Sequence, residues 1–309
     1  TYFSEKHTDF NVFECGKGAK YDDVNNILHD YAVINQIFLE HTRELGDTLT
    51  AIAEDKSHVI TGEQKCVYFA EQEHEVLEVL VRRAEAIQVP YKIYGRDFQA
   101  ENIRYTCSGM QFDVVIGQTV YPDLQIPLLG EHQAKNCALA LAVCVDVMTD
   151  LCRESDTPDI FSETNCNQIR RQLSAIRHPG RMELLRSDPF VLLDACINSA
   201  SCENVKEVLR HLGIQNCTVI VGIPEDKDYV GVVRSMKDMT GRIILTKSGN
   251  PHYHFSQKQQ KVLAREEIPA EWTDSVEQAL TLAGSCPDPI VILGTTSVIS
   301  EVERIFQQS

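Results

Sequence analysis

Several features that define common classes of protein are missing from this sequence of 309 residues. No apolar run approaches the roughly 18 residues that a membrane-spanning helix needs, and the start has no signal-peptide pattern. No basic run offsets the net charge of −16, which argues against electrostatic binding of nucleic acid. No G-x-x-x-x-G-K-[ST] segment occurs, so the loop that cradles nucleotide phosphates is absent from this chain. We therefore expect neither a membrane nor a nucleic-acid partner.

The cysteines lack a pattern as well. There are eleven of them, an odd number, and no two form a C-x-x-C pair. This distribution excludes the common zinc motifs and a disulfide framework. Reduced thiols indicate a cytosol-like compartment, so we expect a cytoplasmic protein. A hydrophobic content of 43% and a charged content of 24% are typical of a globular protein, and the length allows about two domains.

Two short apolar runs near the start, Phe10–Phe13 and Tyr31–Leu39, predict buried strands. Each is brief, rich in bulky or β-branched residues, and bounded by polar turns. Each also ends near a side chain that can bind metal, Glu14 after the first and His41 after the second. Ligands of an open parallel α/β sheet bind at the carboxyl ends of its strands. The pattern therefore predicts that Glu14 and His41 meet at one sheet edge.

Lys56 follows on a predicted helix from Asp47 to Ile60. A carboxylate, an imidazole and a lysine at one sheet edge suit Mg²⁺ and phosphate chemistry. Taken singly, each has an ordinary explanation, because Glu14 or His41 can be a solvated or capping residue and Lys56 a surface charge. Their combination is what favours a ligand site.

The middle of the chain is predicted to contain both strands and helices. Strands are predicted over 65–69, 91–94, 103–105, 110–116 and 118–124, the later ones as an antiparallel hairpin region. Helices are predicted over 73–88, 131–148 and 168–176, with a polar loop over 155–167. Gln133 and Asn136 lie at the start of the second helix, which is apolar enough to be buried. Helix capping and first-turn solvation explain these two residues as well as ligand binding does.

The last part of the chain alternates regularly between strands and helices. The turn His178–Arg181 marks the boundary before it. Strands are predicted over 190–194, 218–222, 242–246 and 290–294, and helices over 201–212, 230–239, 256–264, 275–283 and 297–307. This alternation predicts a Rossmann-like parallel sheet. No G-x-G-x-x-G follows the first strand, which argues against dinucleotide binding.

Polar residues follow these predicted strands. LLDACINSAS carries Asp194 and Asn198, and VGIPEDKD carries Asp226 and Lys227. The segment Thr295–Ser297 offers hydroxyls and N–H groups at a helix start, which suits an anion. The alternatives stay open, because D-K-D is a common solvated turn and helix capping explains the hydroxyls equally well.

Two segments of the chain resemble the folylpolyglutamate synthases, which are Mur-type ATP-dependent amide ligases. FECGKGAKYDDVN is similar to their LEVGLGGRLDATN, and INQIFLEHTRELGDTLTAIAEDKSHVI to their ITNIGLDHTEILGDTLEKIAREKAGII. The two segments match the family segments in the spacing of their residues as well as in residue type. Three departures are visible, since Lys20 replaces an arginine, Glu40 an aspartate, and Ser57-His58 an Ala-Gly pair.

This resemblance implies roles for the residues before the hinge. Glu14 and His41 would help to hold Mg²⁺. Lys56 matches a lysine that in this family is carbamylated and supports a second metal. The family element G-x-HQ-x-x-N matches at Gln133 and Asn136, which would then lie near the adenine of ATP.

The resemblance continues beyond the hinge. Arg181 matches the arginine of a W-P-G-R-like hinge, which reaches the nucleotide phosphates. Asp194 and Asn198 hold their places in the motif LLDGAHNP, whereas Ile197 replaces its histidine. Isoleucine can neither coordinate nor donate a hydrogen bond, so one polar contact is lost. By this resemblance, Lys56, Arg181 and Asp194 are expected to be the catalytic residues. Asp226, Lys227 and Asp228 keep the family's DKD cluster. Asp226 and Lys227, with Asn198, are expected to bind nucleotide.

The implied fold class is α/β, with two domains. An incomplete P-loop-type Mur ligase central domain would occupy residues 1–177, a hinge 178–181, and a Rossmann-like carboxyl-terminal domain 182–309. Because the phosphate loop lies upstream in the family, we expect this chain to be a fragment or a truncated homologue. We also expect it to be inactive without that loop.

The implied reaction is formation of an amide bond through an acyl phosphate. ATP and Mg²⁺ would take part, and the partners would be a small-molecule carboxylate and an amino acid, glutamate in the folate enzymes. The alternative is a non-catalytic scaffold or regulatory module that keeps the fold. Glu14, His41 and Lys56 favour the ligase, whereas the missing loop and Ile197 favour the scaffold.

Overall fold

The computed structural model describes residues 2–106, 108–154 and 163–307. Its helices are α1 (Tyr2–Lys6), α2 (Thr42–Leu45), α3 (Leu49–Lys56), α4 (His74–Ala86), α5 (Glu131–Glu154), α6 (Glu163–Ser174), α7 (Ser199–His211), α8 (Tyr229–Met236), α9 (Lys258–Arg265), α10 (Val276–Ala283) and α11 (Thr296–Gln307). Its strands are β1 (Tyr31–Ile34), β2 (Cys66–Phe69), β3 (Tyr91–Ile93), β4 (Phe98–Thr106), β5 (Gly109–Ile116), β6 (Thr119–Ile126), β7 (Glu183–Ser187), β8 (Phe190–Asp194), β9 (Cys217–Gly222), β10 (Thr240–Leu245), β11 (Glu271–Trp272) and β12 (Ile290–Gly294). Within these ranges, no helix combines the length and the apolar character needed to cross a membrane.

Strands β1, β2 and β3 form a parallel sheet in that order. All four residues of β2 are buried, as expected for a parallel strand that is covered on both faces. Helices α3 and α4 supply the apolar side chains that pack with this sheet, among them Ile52, Val76 and Leu80. The predicted helices at 47–60 and 73–88 are thus confirmed with slightly shorter bounds.

Two strand predictions near the start of the chain need correction. Phe10–Phe13 is not a strand, and Val12 is 97% exposed. An apolar run forms a strand only where a neighbour accepts its hydrogen bonds, and no described strand pairs with this one. The run Tyr31–Leu39 is a strand only as far as Ile34. Beyond it, amide side chains take the backbone N–H groups, since Gln36 donates to the Asn35 side chain at 2.8 Å.

Helix α5 carries acidic side chains toward the first sheet. The Tyr68 hydroxyl donates to Asp146, and Lys92 Nζ lies 2.6 Å from the same carboxylate. The Tyr31 hydroxyl donates to Asp150 at 2.5 Å. Burial raises the pKa of Tyr68, so the phenol stays protonated and keeps donating. The predicted helix is confirmed, but it extends to Glu154 and is buried mainly in its first half.

Strands β4, β5 and β6 form a second sheet in that order. Two residues join β5 to β6, and a connection that short can only link antiparallel strands. The predicted hairpin region is confirmed. The predicted loop at 155–167 is partly wrong, because α6 begins at Glu163, and no proline or glycine interrupts the chain between Phe161 and Ser174. Residues 155–162 lie outside the described ranges.

The third sheet has the order β11-β10-β9-β12-β8-β7. All its neighbours are parallel except the edge strand β7, which pairs antiparallel with β8. The predicted Rossmann-like sheet is confirmed, and β8 and β12 have the predicted bounds. The short edge strands β7 and β11 were not predicted, because edge strands lack the continuous apolar run of buried ones.

The third sheet is covered on both faces. Alternate residues of a strand point to opposite faces. Leu192 accordingly packs in one core with residues of α7, α8 and α9, whereas Leu193 packs in the other with residues of α10 and α11. A doubly covered parallel sheet leaves its carboxyl-terminal edge as the place for polar chemistry.

The chain divides into two compact units. The first comprises Thr1–Glu101, Asp113–Pro122 and Lys135–Cys166, and the second Asn102–Phe112, Asp123–Ala134 and Asn167–Ser309. The first unit contains the β1-β2-β3 sheet, and the second contains the six-stranded sheet. The domain boundaries expected from the sequence, with a hinge at 178–181, stay a prediction.

Candidate functional site

A cluster of charged side chains follows the carboxyl end of β1. Lys56 Nζ donates to Glu40 Oε1 at 2.9 Å and to the backbone carbonyl of Lys17 at 3.1 Å. His41 Nε2 lies 3.9 Å from Glu40 Oε2. The Lys56 and Glu40 side chains are only 23% and 31% exposed, so water screens their attraction less than at an open surface. Glu40 therefore links two predicted site residues, His41 and Lys56.

The backbone at His41 is unusual. Its φ of 49° and ψ of 37° place it in the left-handed region, directly before α2. Its carbonyl accepts the N–H groups of Glu44 and Leu45, each at 3.0 Å. Non-glycine residues in this region carry backbone strain, which is concentrated at functional sites in proteins. The conformation holds the imidazole at a fixed point after the strand.

The loop that carries Glu14 is shaped by two aspartates. Asp22 Oδ2 accepts the Gly16 N–H at 2.7 Å, and Asp55 Oδ1 accepts the Ala19 N–H at 2.9 Å. Such aspartate-to-backbone bonds are a local alternative to regular structure. They bring the loop alongside α3, where Lys56 reaches it. Glu14 itself is exposed.

Glu14 and His41 are not members of a group of three potential metal ligands among the described residues. Across residues 2–106, 108–154 and 163–307, the one set of three His, Cys, Asp or Glu ligand atoms within 4.8 Å of each other is Glu131, Glu207 and His211. Among the described residues, the cluster whose ligand atoms lie close enough together to hold a metal ion is therefore not the predicted one. The assignment of Glu14 and His41 to Mg²⁺ stays a prediction.

Gly18→Ala is expected to loosen the Glu14 loop. A Cβ at this position would lie 2.1 Å from Asp55 Oδ1 and 2.8 Å from Leu45 Cδ2, so the Asp55 carboxylate must move away from the Ala19 N–H. Losing such a bond costs roughly 1–3 kcal/mol locally, which accelerates amide exchange of Ala19 about 10-fold or more. Hydrogen exchange followed by NMR measures this directly. The amide of Val67 in buried β2 serves as internal reference, and equal exchange of Ala19 in both proteins would contradict the prediction.

Gln133 and Asn136 lie in the first turns of α5. Gly130, with φ of 107°, ends the preceding segment, and its carbonyl accepts the Gln133 N–H at 3.0 Å. An added Cβ at Gly130 would lie 2.5 Å from the His132 ring, so glycine is required there by both space and conformation. Gln133 is buried and Asn136 exposed. Their proposed contact with adenine stays a prediction.

Asp194 is the buried carboxylate at the carboxyl end of β8, 6% exposed. It accepts the Met182 N–H at 2.8 Å. Burial raises the pKa of Asp194 to about 6, although the backbone donors Met182 and Cys196 and the nearby Arg181 guanidinium act in the opposite direction. The structure therefore brings Arg181 near Asp194. A carboxylate that titrates near neutrality at a strand end is a candidate functional group.

The Asn198 side chain has a structural role as a helix cap. Its side chain accepts the Ser201 N–H at 2.8 Å and caps α7. Asp228 caps α8 and also accepts the Ser199 N–H at 3.0 Å, so it ties the Asp194–Asn198 loop to the DKD segment. Asp228 was predicted as part of the DKD cluster but not as a helix cap, although its position directly before a helix was the available signal.

The remaining residues of these loops differ in their surroundings. Ile197 packs against the apolar core. Its side chain therefore makes an apolar contact and does not replace the polar contact of the family's histidine. Asp226 is exposed, and Lys227 is half-buried in a turn closed by its N–H to the Pro224 carbonyl at 3.1 Å. Their expected contact with nucleotide stays a prediction.

Hydroxyl groups line the edge beyond β10 and β12. Ser297 Oγ lies 2.9 Å from both Thr295 Oγ1 and Ser248 Oγ. Gly222 and Gly294 are register partners at the ends of β9 and β12. They allow α11 to approach the sheet, because a Cβ on either would lie close to Val298.

Comparison with known proteins places the chain among characterised relatives. Residues 2–144 match the Mur ligase middle domain family. The chain is 27% identical over 257 residues to a dihydrofolate synthase/folylpolyglutamate synthase of Mycobacterium tuberculosis, covering 81% of this chain and 51% of that protein. It is 24% identical over 304 residues to the folylpolyglutamate synthase of Lacticaseibacillus casei, covering 98% of this chain and 68% of that protein.

A solved structure shows the same fold. The Mycobacterium tuberculosis folylpolyglutamate synthase complexed with ADP and AMPPCP superimposes with a TM-score of 0.86 at 23% identity, covering 100% of this chain and 71% of that one. The chain spans about half the length of the curated Mycobacterium tuberculosis relative, 51%. The resemblance identified in the sequence is confirmed.

Proposed function

We propose that the chain belongs to the folylpolyglutamate synthases and Mur-type amide ligases, which it resembles, and that it is part of an ATP-dependent carboxylate–amine ligase. The observation that carries the proposal is the linked group of Glu40, His41 and Lys56 after β1. A scaffold protein has no chemical need for a half-buried lysine held between the Glu40 carboxylate and the Lys17 backbone carbonyl. A ligase does, because a lysine held at this place can be carbamylated and can then help to hold the cation that neutralises phosphate charge.

The donor set fits a divalent cation that shares its coordination with phosphate oxygens. Glu14 and Glu40 offer carboxylates and His41 an imidazole, and Mg²⁺ in such enzymes takes few protein ligands beside substrate phosphates. A bound Mg²⁺ would neutralise negative charge on the phosphate groups. Carbamylation would turn Lys56 into an anion beside Glu40, which favours a cation there. Both the Mg²⁺ site and the carbamylation are part of the proposal.

The proposed reaction has two steps. An oxygen of the substrate carboxylate attacks the γ-phosphorus of ATP, the bond to the bridging oxygen breaks, and ADP leaves. The amine then attacks the acyl carbon, phosphate leaves with the electron pair of its C–O bond, and the nitrogen loses a proton. Exclusion of water protects the acyl phosphate between the steps.

We assign roles in binding the nucleotide to seven further residues. Gln133 and Asn136 would bind adenine, and Arg181 the phosphates. Asp194, through its bond to the Met182 N–H, would hold the backbone that follows Arg181. Asn198 and the pair Asp226-Lys227 would complete the nucleotide contacts at the edge of the six-stranded sheet, although Asn198 also caps α7.

The proposed partners are small molecules. The names of the relatives indicate a folate-type carboxylate and glutamate as amine, and Ile197 argues for a difference in how one of them is held. We propose a cytoplasmic location, which agrees with the ten free cysteines of the described chain.

Mg²⁺·ATP is expected to bind the chain in a way that depends on Glu14 and His41. Isothermal titration calorimetry should show affinity falling about 10-fold or more in Glu14→Ala and in His41→Ala, because each removes a first ligand of the cation. Glu63→Ala changes an exposed carboxylate in the same unit and should leave the affinity unchanged. Equal affinity in all the variants would contradict the metal assignment.

A second titration tests whether nucleotide binding requires a phosphate loop. A phosphate-binding segment of the type G-x-x-x-x-G-K-[ST], fused before Thr1, adds a phosphate cradle that this sequence does not contain. If the folded chain binds no nucleotide either alone or in this fusion, the ligase proposal is wrong and the scaffold alternative replaces it. Binding only in the fusion supports the proposal and accounts for an inactive chain.

A further inference from the structure

Three side chains outside the proposed ligase site converge in the second unit. The ligand atoms of Glu131, Glu207 and His211 all lie within 4.8 Å of one another, and His211 Nε2 is 4.0 Å from Glu207 Oε1. Glu131 and Glu207 are half-buried and His211 is exposed. Carboxylate oxygen and imidazole nitrogen are both atoms that Zn²⁺ and related ions take as ligands.

The fold explains the convergence. Glu207 and His211 are four residues apart on α7, so they share one face of the helix. Glu131 is the first residue of α5, where the chain turns after Gly130. The carboxylate at the start of one helix therefore faces the end of another, far away in the sequence.

Tyr105 supports the cluster from β4. Its ring stacks on the imidazole of His211, with centroids 4.1 Å apart and planes inclined by 16°. The stack restricts the orientation of the imidazole, as outer-shell partners do in metal sites. The Tyr105 hydroxyl oxygen is buried near the backbone N–H of Glu131, and no hydrogen bond of normal geometry satisfies it among the described residues.

The two carboxylates lack a fixed counter-ion. Among the described residues, neither Glu131 nor Glu207 has a lysine or arginine nitrogen within 4.0 Å, and the nearby Lys206 pairs with Glu203 instead. Like charges brought together without a cation repel each other. A bound cation removes that repulsion, and the imidazole selects for a transition metal over Ca²⁺ or Mg²⁺.

We propose that Glu131, Glu207 and His211 form a binding site for a divalent transition-metal ion of the zinc class. A tetrahedral zinc ion holds its ligand atoms roughly 3.4 Å apart, so small side-chain rotations complete the site and leave one position for water. The ion would tie the start of α5 to the end of α7. Its role is structural, and the proposal is independent of the ligase activity.

The experiment uses Co²⁺ as a spectroscopic substitute for Zn²⁺. Titration of the chain is expected to give a visible d–d spectrum that saturates at one equivalent. Glu131→Gln, Glu207→Gln and His211→Gln should each weaken binding about 10-fold to 100-fold. The melting temperature of the unsubstituted chain should also rise with Co²⁺ concentration, and this rise should vanish in His211→Gln.

The chain offers a matched control in α4. His74 and Glu78 are also four residues apart, with Nδ1 and Oε1 separated by 3.7 Å, but no third ligand of the described chain joins them. His74→Gln should leave Co²⁺ binding unchanged.

Three results would overturn the proposal. One is absence of any cobalt spectrum in the folded chain. Another is equal affinity in the three glutamine variants and the unsubstituted protein. The third is an intense sulfur-to-cobalt charge-transfer band, which would place the ion on cysteines. Because these side chains are half-buried or exposed, the variants should stay folded, and circular dichroism verifies this.

Discussion

Asp194→Asn is expected to stabilise the chain by about 1–3 kcal/mol at neutral pH. Asp194 is 6% exposed, and burial raises its pKa from 3.8 to about 6. That shift corresponds to about 3 kcal/mol of destabilisation once the carboxylate is ionised. The amide removes the charge but accepts the Met182 and Cys196 N–H groups less well, which offsets part of the gain.

The pH dependence of this stability difference shows whether the Asp194 charge is its cause. A carboxyl group with a raised pKa in the folded state contributes stability that is fully present below its unfolded pKa of 3.8. That contribution is lost as the pH rises through about 6. The advantage of Asp194→Asn should therefore be small at about pH 4.5 and largest above about pH 7 in urea unfolding. Asp238→Asn, an exposed carboxylate of the same unit, should show no such trend.

A less stable Asp194→Asn protein with no change between the two pH values would contradict the argument. The expected outcome has a functional meaning. A buried carboxylate that lowers stability is retained where function requires its charge, because natural proteins trade stability for activity at their sites. Nucleotide binding should accordingly weaken in the more stable variant.

Gly294→Ala is expected to destabilise the chain by about 2–3 kcal/mol. The added Cβ would lie 2.7 Å from the backbone oxygen of Gly222 and 3.1 Å from two atoms of Val298. The oxygen belongs to the adjacent strand and cannot rotate away, so β12 or α11 must move. Urea unfolding measures the loss, with a lower midpoint and an unchanged slope.

Gly249→Ala is the matched control on the same side of the sheet. Its Cβ would meet Glu301 Oε1 at 3.6 Å, an ordinary contact, and the effect should stay within about 0.5 kcal/mol. Equal stability of Gly294→Ala and Gly249→Ala would show that α11 can shift without loss. The close approach of helix and sheet would then be unnecessary for folding.

The tertiary structure decided several matters that the sequence left open. Phe10–Phe13 has the composition of a strand, but a strand also needs a neighbour for its hydrogen bonds, and none is among the described residues. Glu40 looked like a simple departure from the family pattern, whereas its carboxylate links His41 to Lys56. The convergence of Glu131 with α7 was invisible in the sequence, because no local pattern encodes it.

The sequence by itself determined the fold class, the bounds of β8 and β12, and the resemblance to the folylpolyglutamate synthases. Continuous apolar runs between polar turns suffice for a buried parallel strand, and motif spacing suffices for the family, since both depend only on nearby residues. Packing alone decided which charged side chains meet and how far the pKa of Asp194 rises. Distances between residues remote in the chain, and the burial of each group, exist only once the sheets and helices are assembled.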